Sequence, residues 1–500
     1  MIRFPFRDLV AALAAALFVV TAVLIGRHIQ DAHGTLFVLW PPLFATWDPH
    51  IGPGTPAALV VGVAVVAYGP ALSARLPWRA LLAAAWGTAL AWTWSLALID
   101  GWHRGVAGRL TAREEYLRVI DRFHDIAAAL RDFNHHIVEG SPAPWPAHVA
   151  GHPPGATLTF VLLDRIGLRG GGWAGAWCIT VGTTAAVAVL VAVRELADET
   201  LARRAAPYLV LAPAAVWVGA SADGYFAAVA AWSVALLALA LTGHRPLVSG
   251  FGAGLLFGLT CYLSYGLTLF ALIGAGAWAL GRSRAARPPW RTLFPVLVGL
   301  AVPPLAFTLA GFDWWEAYHL LVRRYYQGVG GIRPYGYWVW ANLACTVLIT
   351  GLATAAGVRY AIATLVRSRG AGALTRLRDA PVGPGGETGF AAGGSAGVGR
   401  LGSEPGAVGG SAGVGRLGSG SAAVGRSVAE ARLALLVLAA LLAVLVADLS
   451  GMSKAETERI WLPFAMWLLP ACAFLTHPRA WLAAQAVLAL LLNHLLLTGW

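Results

Sequence analysis

The sequence predicts an all-α polytopic membrane protein with about thirteen transmembrane helices and a long extracytoplasmic loop carrying juxtamembrane helices. Three observations carry that expectation. Of 500 residues, 58% are hydrophobic and only 12% are charged, more apolar surface than one soluble core can hide. Apolar stretches recur along the whole chain, each near the length that crosses about 30 Å of hydrocarbon. Arginines gather in the short segments between those stretches, so the preference for basic residues on the cytoplasmic side accounts for the formal charge of +12 without a nucleic-acid partner.

The first apolar run, LVAALAAALFVVTAVLIG (9–26), follows Arg3 and Arg7. It is longer than a signal-peptide core and lacks a small-residue cleavage site, so it is expected to be a retained span with the N-terminus cytoplasmic. Spans near 8–27, 56–75 and 80–100 place Arg75 and Arg79 in a tight cytoplasmic turn and the polar segment 102–155 outside. The run ATLTFVLLDRIGL (156–168) is short and carries Asp164 and Arg165, which are costly at mid-bilayer. If it crossed, the basic segments RELADETLARR (194–204) and GRSRAARPPWR (281–291) would face outside; residues 153–168 are therefore expected to form a juxtamembrane or re-entrant helix. Further spans are expected near 172–193, 205–220, 224–242, 247–262, 264–281, 292–311, 337–358, 430–448, 459–476 and 479–498, with the C-terminus outside. The segments SADG (221–224), 311–336 and SGMSKAETER (450–459) then join the external side.

The expected organisation is two N-terminal helices (1–79), a main transmembrane module (80–364), a linker (365–428) and three C-terminal helices (429–500). The linker is rich in Gly, Ala and Ser and repeats GGSAGVGRLGS at 393–403 and 409–419; such a segment buries too little apolar surface to fold. The cysteines Cys178, Cys261, Cys345 and Cys472 lie inside apolar runs without metal-ligand spacing and are read as core residues.

Chemistry-bearing residues concentrate in the external segment. Asp100 follows the third span, where it either ends the helix or faces a ligand. The stretch TAREEYLRVIDRFHDIAAALRDF has apolar residues at Leu117, Ile120, Ala127 and Leu130, the spacing of an amphipathic helix lying on the membrane surface. Thr111 and Glu114 fit a capping box, whereas Glu115 and Tyr116 have no such structural duty beyond a salt bridge with Arg118 or Arg122. His135, His136, His148 and His152 are not read as a dedicated metal site. Pro153 and Pro154 suit a helix start and Gly155 permits close backbone approach. His152 thus sits one residue outside an apolar helix, as a structural histidine or as a group that grips a polar head whose tail lies in lipid.

This order of parts resembles the GT-C glycosyltransferases. The shared features are an acidic pair followed by an aromatic residue (Glu114, Glu115, Tyr116), an amphipathic helix, and then HPPG (152–155) leading into an apolar helix. The likeness is to the branch of protein mannosyltransferases, aminoarabinose transferases and related bacterial enzymes. Also similar is a basic turn before an apolar span that ends in a short acidic motif, here ARRAAPYLVLAPAAVWVGASADG. The resemblance covers roughly residues 80–350. It implies transfer of a sugar from a polyprenyl-phosphate donor to a cell-envelope glycan, lipid or protein on the outer face of a bacterial plasma membrane, with an external aspartate of an Asp-Glu pair as base. Here the pair is Glu-Glu, so Glu115, Glu114 and Asp100 compete for that role. The two leading spans and the lack of a large C-terminal soluble domain depart from several members.

Such transfer needs a carboxylate to take the acceptor proton and cations to stabilise the departing phosphate, for which arginine is suited. Cations on the expected side are Arg323, Arg324, Arg333, Lys454 and Arg459. Glu456 and Glu458 beside the last two also fit plain interfacial snorkelling. Tyr116, His148, His152, Arg323, Arg324, Lys454, Glu456 and Arg459 form the expected substrate-binding set. Tyr325, Tyr326 and nearby tryptophans fit an interfacial belt as well as a sugar platform. No cofactor is required by these residues, and assistance by a divalent cation is left open. A transporter or lipid-sugar flippase is the competing class and would place ionisable residues within spans or break helices in paired halves; an inactive scaffold for envelope assembly is the third. Abundant Arg, Ala and Gly against little Lys point to a GC-rich bacterial source.

Overall fold

Eight helices among the described residues are, by length and composition, long and apolar enough to cross a membrane. They are Phe6–His33, Thr55–Arg75, Trp78–Ala97, Gly171–Leu196, Ala222–Leu241, Pro246–Leu263, Trp290–Leu309 and Gly425–Leu449. A ninth span results if the pair Tyr335–Thr350 and Leu352–Arg367, bent by 109°, is counted as one. The chain is thus a helical multi-pass membrane protein. The structure, a computed structural model, describes residues 5–283, 290–370 and 414–499. Residues 371–413, most of the expected linker, lie outside the described residues, and helices Leu352–Gly370 and Val414–Leu449 run into that segment from its two sides.

Thirteen long helices were expected, and prolines account for part of the difference. The stretch expected at 205–220 holds two helices, Glu199–Val210 and Ala215–Val218, with Pro207 inside the first and Pro213 between them; a proline ring removes a donor and clashes with the preceding turn. The stretch expected at 459–476 is cut likewise, at Pro463 and Pro470, into the short turns Thr457–Ile460, Leu462–Ala465 and Leu469–Phe474. That expected at 264–281 opens with a 3-10 turn, which leaves only Phe270–Arg282 as α-helix. The last, Pro478–Leu495, is one continuous helix, but Arg479, Gln485, Asn493 and His494 lower its apolar character.

Where helices do pack in full, small residues let backbones meet. A Cβ added at Gly254 would lie 1.9 Å from the Val296 carbonyl oxygen, and one at Gly299 would lie 2.1 Å from that of Phe251. The helices Pro246–Leu263 and Trp290–Leu309 therefore touch through glycine on both sides, the small-residue packing of membrane interiors.

One end of the bundle is closed by the chain's two terminal regions. Strand Ala45–Trp47 pairs antiparallel with Leu496–Thr498. Beside it, Asp100 accepts from His50 Nε2 at 2.8 Å and from Arg109 Nη2 at 2.9 Å, while Arg109 Nη1 donates to the Thr498 carbonyl. Segment 102–155 folds onto this end. The single amphipathic helix expected there is instead a 3-10 stretch Tyr116–Phe123, a helix Ile126–Asp132 capped by Asp125, and a 3-10 turn Phe133–His136. Asp125 accepts from the Ala128 amide and so starts a new helix in mid-segment. Trp145 stacks on Phe123 and lies against Phe133, giving the cap its own core. Helix Pro154–Arg165 has 12 residues, about 18 Å at 1.5 Å per residue and too short to cross.

The opposite end carries exposed arginines and capped helix ends. Arg203 Nη1 donates to the carbonyls of Ser73 and Leu76 at 2.9 and 2.8 Å, and Arg204 Nη2 to that of Leu475 at 3.0 Å, satisfying acceptors that a helix terminus leaves open.

Candidate functional site

Four elements bring charged side chains to one buried point. The 3-10 stretch beginning at Tyr116 follows Glu115, which sits in extended backbone at its start. Helix Ala147–Gly151 presents His148. Ser221 caps helix Ala222–Leu241, accepting from the Asp223 amide, and sets Asp223 in the first turn. The turn Thr457–Ile460 carries Arg459 and is entered through Ala455 and Glu456, both in left-handed backbone at φ 73° and 62°, a conformation costly for residues other than glycine.

These side chains form one chain of polar contacts. Arg459 Nη1 lies 2.7 Å from Asp223 Oδ2, and Nη2 lies 3.3 Å from His148 Nε2. His148 Nδ1 lies 2.8 Å from Glu115 Oε1. A guanidinium can only donate, so His148 Nε2 accepts and its Nδ1–H donates to the carboxylate. The order Arg459, His148, Glu115 is thereby fixed in its tautomer. Glu115 Oε2 is buried and has no hydrogen-bond partner among the described residues. Glu456 extends the network, its two oxygens 3.3 Å from Arg333 Nη1 and 3.5 Å from Arg459 Nη2. Arg333 also donates to the carbonyls of Leu36 and Lys454, and Lys454 Nζ to that of Gly330 at 2.9 Å.

Two uncharged neighbours shape the site. Tyr116 is fully buried and stacks on Phe160 with ring centroids 5.3 Å apart; burial first, then the nearby Asp223 and Glu115 carboxylates, pushes its hydroxyl well above the usual tyrosine range. Its oxygen lies 3.1 Å from His152 Nδ1, which also lies 2.8 Å from the His148 carbonyl. Burial holds His152 down at about 4, so the ring is neutral near pH 7. Behind it a Cβ at Gly155 would lie 2.5 Å from the Tyr262 carbonyl oxygen, so the backbone after HPP lies directly on that helix.

Of the sequence-derived residues, Glu115, Tyr116, His148, His152, Glu456 and Arg459 come together, while Lys454 joins through its backbone carbonyl on Arg333 and turns its ammonium to the Gly330 carbonyl. Asp100 does not join them: it belongs to the separate His50–Arg109 pair at the terminal clamp. Glu114 is diverted too, and does not form the expected capping box with Thr111. Its Oε2 accepts from the Ala147 amide at 3.0 Å and its carbonyl from the His148 amide, because the 3-10 backbone turns it toward the start of the neighbouring helix. Arg324 pairs with Glu139 at 3.1 Å, and Arg323 is exposed. His135 and His136 both contact Asp132. Among the described residues no group of three or more His, Cys, Asp or Glu side chains is arranged to hold a metal ion.

The SADG motif is visible in the sequence, but nothing local marks its Asp223 as a site residue. Serine two residues before an aspartate at a helix start is also an ordinary cap, and only the partner Arg459, 236 positions away, distinguishes the two. Segment 34–54 was missed altogether, yet its Leu36 carbonyl holds Arg333 and its Phe44 amide donates to Glu458 Oε1.

No family model matches the sequence, and no curated protein matches it. Among solved structures, the chain is similar to the Archaeoglobus fulgidus oligosaccharyltransferase, crystallised as a complex with Zn and sulfate, at 14% identity and a TM-score of 0.33. The match covers 77% of this chain and 53% of the other, so the chain spans about half the length of that protein.

Proposed function

We propose that this protein is a membrane glycosyltransferase of the GT-C kind, moving a sugar from a polyprenyl-phosphate carrier to a cell-envelope acceptor on the outer face of a bacterial plasma membrane. The observation that carries the reading is Glu115: a buried carboxylate oriented by His148, with one oxygen unpartnered, beside a cluster of Arg459, Arg333 and Lys454.

In the proposed step Glu115 Oε2 takes the proton of the acceptor hydroxyl as that oxygen bonds to the anomeric carbon. The bond from that carbon to the phosphate oxygen breaks, and its electron pair leaves with the lipid phosphate. Arg459, Arg333 and Lys454 would stabilise the charge gathering there, in a site screened from water where such contacts are strong. Asp223 holds Arg459 in register for that task, and His148 aims Glu115. The outward assignment follows from Arg75, Arg79, Arg194, Arg203, Arg204 and Arg479 at the opposite end, which basic-residue bias assigns to the cytoplasm.

The test is sugar transfer by the purified full-length protein in lipid, using a panel of polyprenyl-phosphate sugars. Product from wild type, lost in Glu115→Gln and kept within tenfold in Asp100→Asn, supports the reading. Saturable lipid binding without transfer from any donor overturns it in favour of a flippase or scaffold.

A further inference from the structure

An apolar cavity of about 210 Å³ lies between helices Thr55–Arg75, Trp78–Ala97 and Glu199–Val210, where the arginine-rich end begins. Small side chains on its walls, Ala84, Ala85 and Ala206, leave the gap that larger residues would fill, and Pro207 interrupts the helix on its third side. The volume exceeds the roughly 150 Å³ of an apolar cavity that takes up benzene. Two of its lining residues, Tyr68 and Leu72, are 65% and 51% exposed, so it opens sideways onto the surface that a bilayer covers. Left empty, its walls would lack partners for dispersion contacts.

The end of this cavity is charged. Ser73 and Leu76 line it, and both of their carbonyls are held by Arg203. Arg75 and Arg79 flank them in the turn between the first two helices and are exposed. Arg479 Nε donates to the Ala67 carbonyl at 3.2 Å, one residue before Tyr68. The nearby acid, Glu199, is occupied by Arg194 and Arg203, whereas Arg75, Arg79 and Arg479 form no ion pair among the described residues. Arginines next in sequence to the residues at the end of an apolar slot, without an ion pair among the described residues, suit a phosphate with a hydrocarbon tail.

We propose that this site binds one anionic phospholipid, with an acyl chain in the cavity and the headgroup phosphate on Arg75 and Arg79. Lipid tails are as apolar as the cavity wall, so the tail contributes packing, and selectivity comes from the net negative charge of a headgroup whose phosphate no ammonium offsets. Bidentate guanidinium contacts suit that group. The site lies at the far end from Glu115 and does not depend on the glycosyltransferase reading.

Native mass spectrometry and thermal melting of the full-length protein in detergent test this, with phosphatidylglycerol, phosphatidylcholine of the same chains and glycerol phosphate as probes. Phosphatidylglycerol is expected to be retained selectively and to raise the melting temperature most. Arg75→Gln with Arg79→Gln should weaken it about thirtyfold, about fivefold for each basic residue near the surface, and weaken phosphatidylcholine, whose choline offsets the phosphate charge, by much less. Ala84→Leu, which intrudes into the cavity without touching the rim, should also weaken phosphatidylglycerol. Equal retention of the two lipids, unchanged phosphatidylglycerol affinity in the double arginine variant or in Ala84→Leu, or a full thermal shift from glycerol phosphate alone would each overturn the proposal.

Discussion

The two ends of the bundle hold the same kind of ion pair in opposite surroundings. At the site end Arg459 and Asp223 meet at 2.7 Å with side chains 5% and 4% exposed. At the other end Arg194 and Glu199 meet at 2.8 Å with side chains 37% and 36% exposed. Distance does not separate them; water does. An exposed pair gains little because solvent screens it, whereas a buried pair carries a desolvation cost that apolar residues of the same size would avoid. Selection for stability alone therefore explains the outer arginines, which cap helix ends, and leaves the inner ones to be explained by chemistry.

The sharpest way to break this contrast is Glu115→Gln. The amide keeps the size of the side chain and can still accept from His148, so the fold should survive while proton abstraction is lost. Transfer is expected to fall by about 10² to 10⁴, with a circular-dichroism melt close to wild type. A variant that melts early and loses activity in proportion would make Glu115 a structural residue.

Asp223→Ala asks what the buried pair is worth. Removing Asp223 takes the closest carboxylate away from the buried Arg459 guanidinium, a loss of up to about 3–5 kcal/mol, read by denaturant unfolding in micelles. Leaving stability within about 1 kcal/mol of wild type would mean that the contacts Arg459 already makes with His148 at 3.3 Å and Glu456 at 3.5 Å suffice to hold it. At the terminal clamp Asp100→Asn should cost less, about 1–3 kcal/mol, because His50 and Arg109 each keep a backbone partner in the Asp48 and Thr498 carbonyls. Retained transfer would separate this clamp from the cluster proposed to be catalytic.

The same contrast explains what the sequence disclosed. Arg203 and Arg204 at the wet end, like the long apolar helices, are legible from local pattern, because a lipid solvent dictates both. The prolines that split 205–220 and 459–476 were equally visible, but helix interruption inside a bundle is tolerated only when tertiary neighbours satisfy the freed groups, which no local window reports. At the site, Glu115, Tyr116 and HPPG stood out as a motif, and Lys454, Glu456 and Arg459 as charges beside an apolar run. Their convergence with Asp223 and Arg333 comes from contacts spanning more than a hundred residues, as does the diversion of Asp100 and Glu114 into structural duties. Residue type marked where polarity is unusual; only packing decided which polar groups share a pocket.

The smallest effect belongs to the wet end. Glu199→Gln removes the acid that bridges Arg194 and Arg203, yet both guanidiniums keep other contacts: Arg203 with the Ser73 and Leu76 carbonyls, and Arg194 over the Trp78 ring at 4.7 Å. With solvent and these partners available, the expected loss is below about 1 kcal/mol and should shrink further in high salt, where the Debye length falls to about 3 Å at 1 M. Unfolding at low and high ionic strength measures both. A loss comparable to that of Asp223→Ala, insensitive to salt, would mean that this pair is dry in the bilayer and that exposure of the isolated chain misstates its surroundings. A small, screened loss would leave the contrast intact: an arginine paired with a carboxylate is worth little where it orients a helix end and much where it is held out of water beside Glu115.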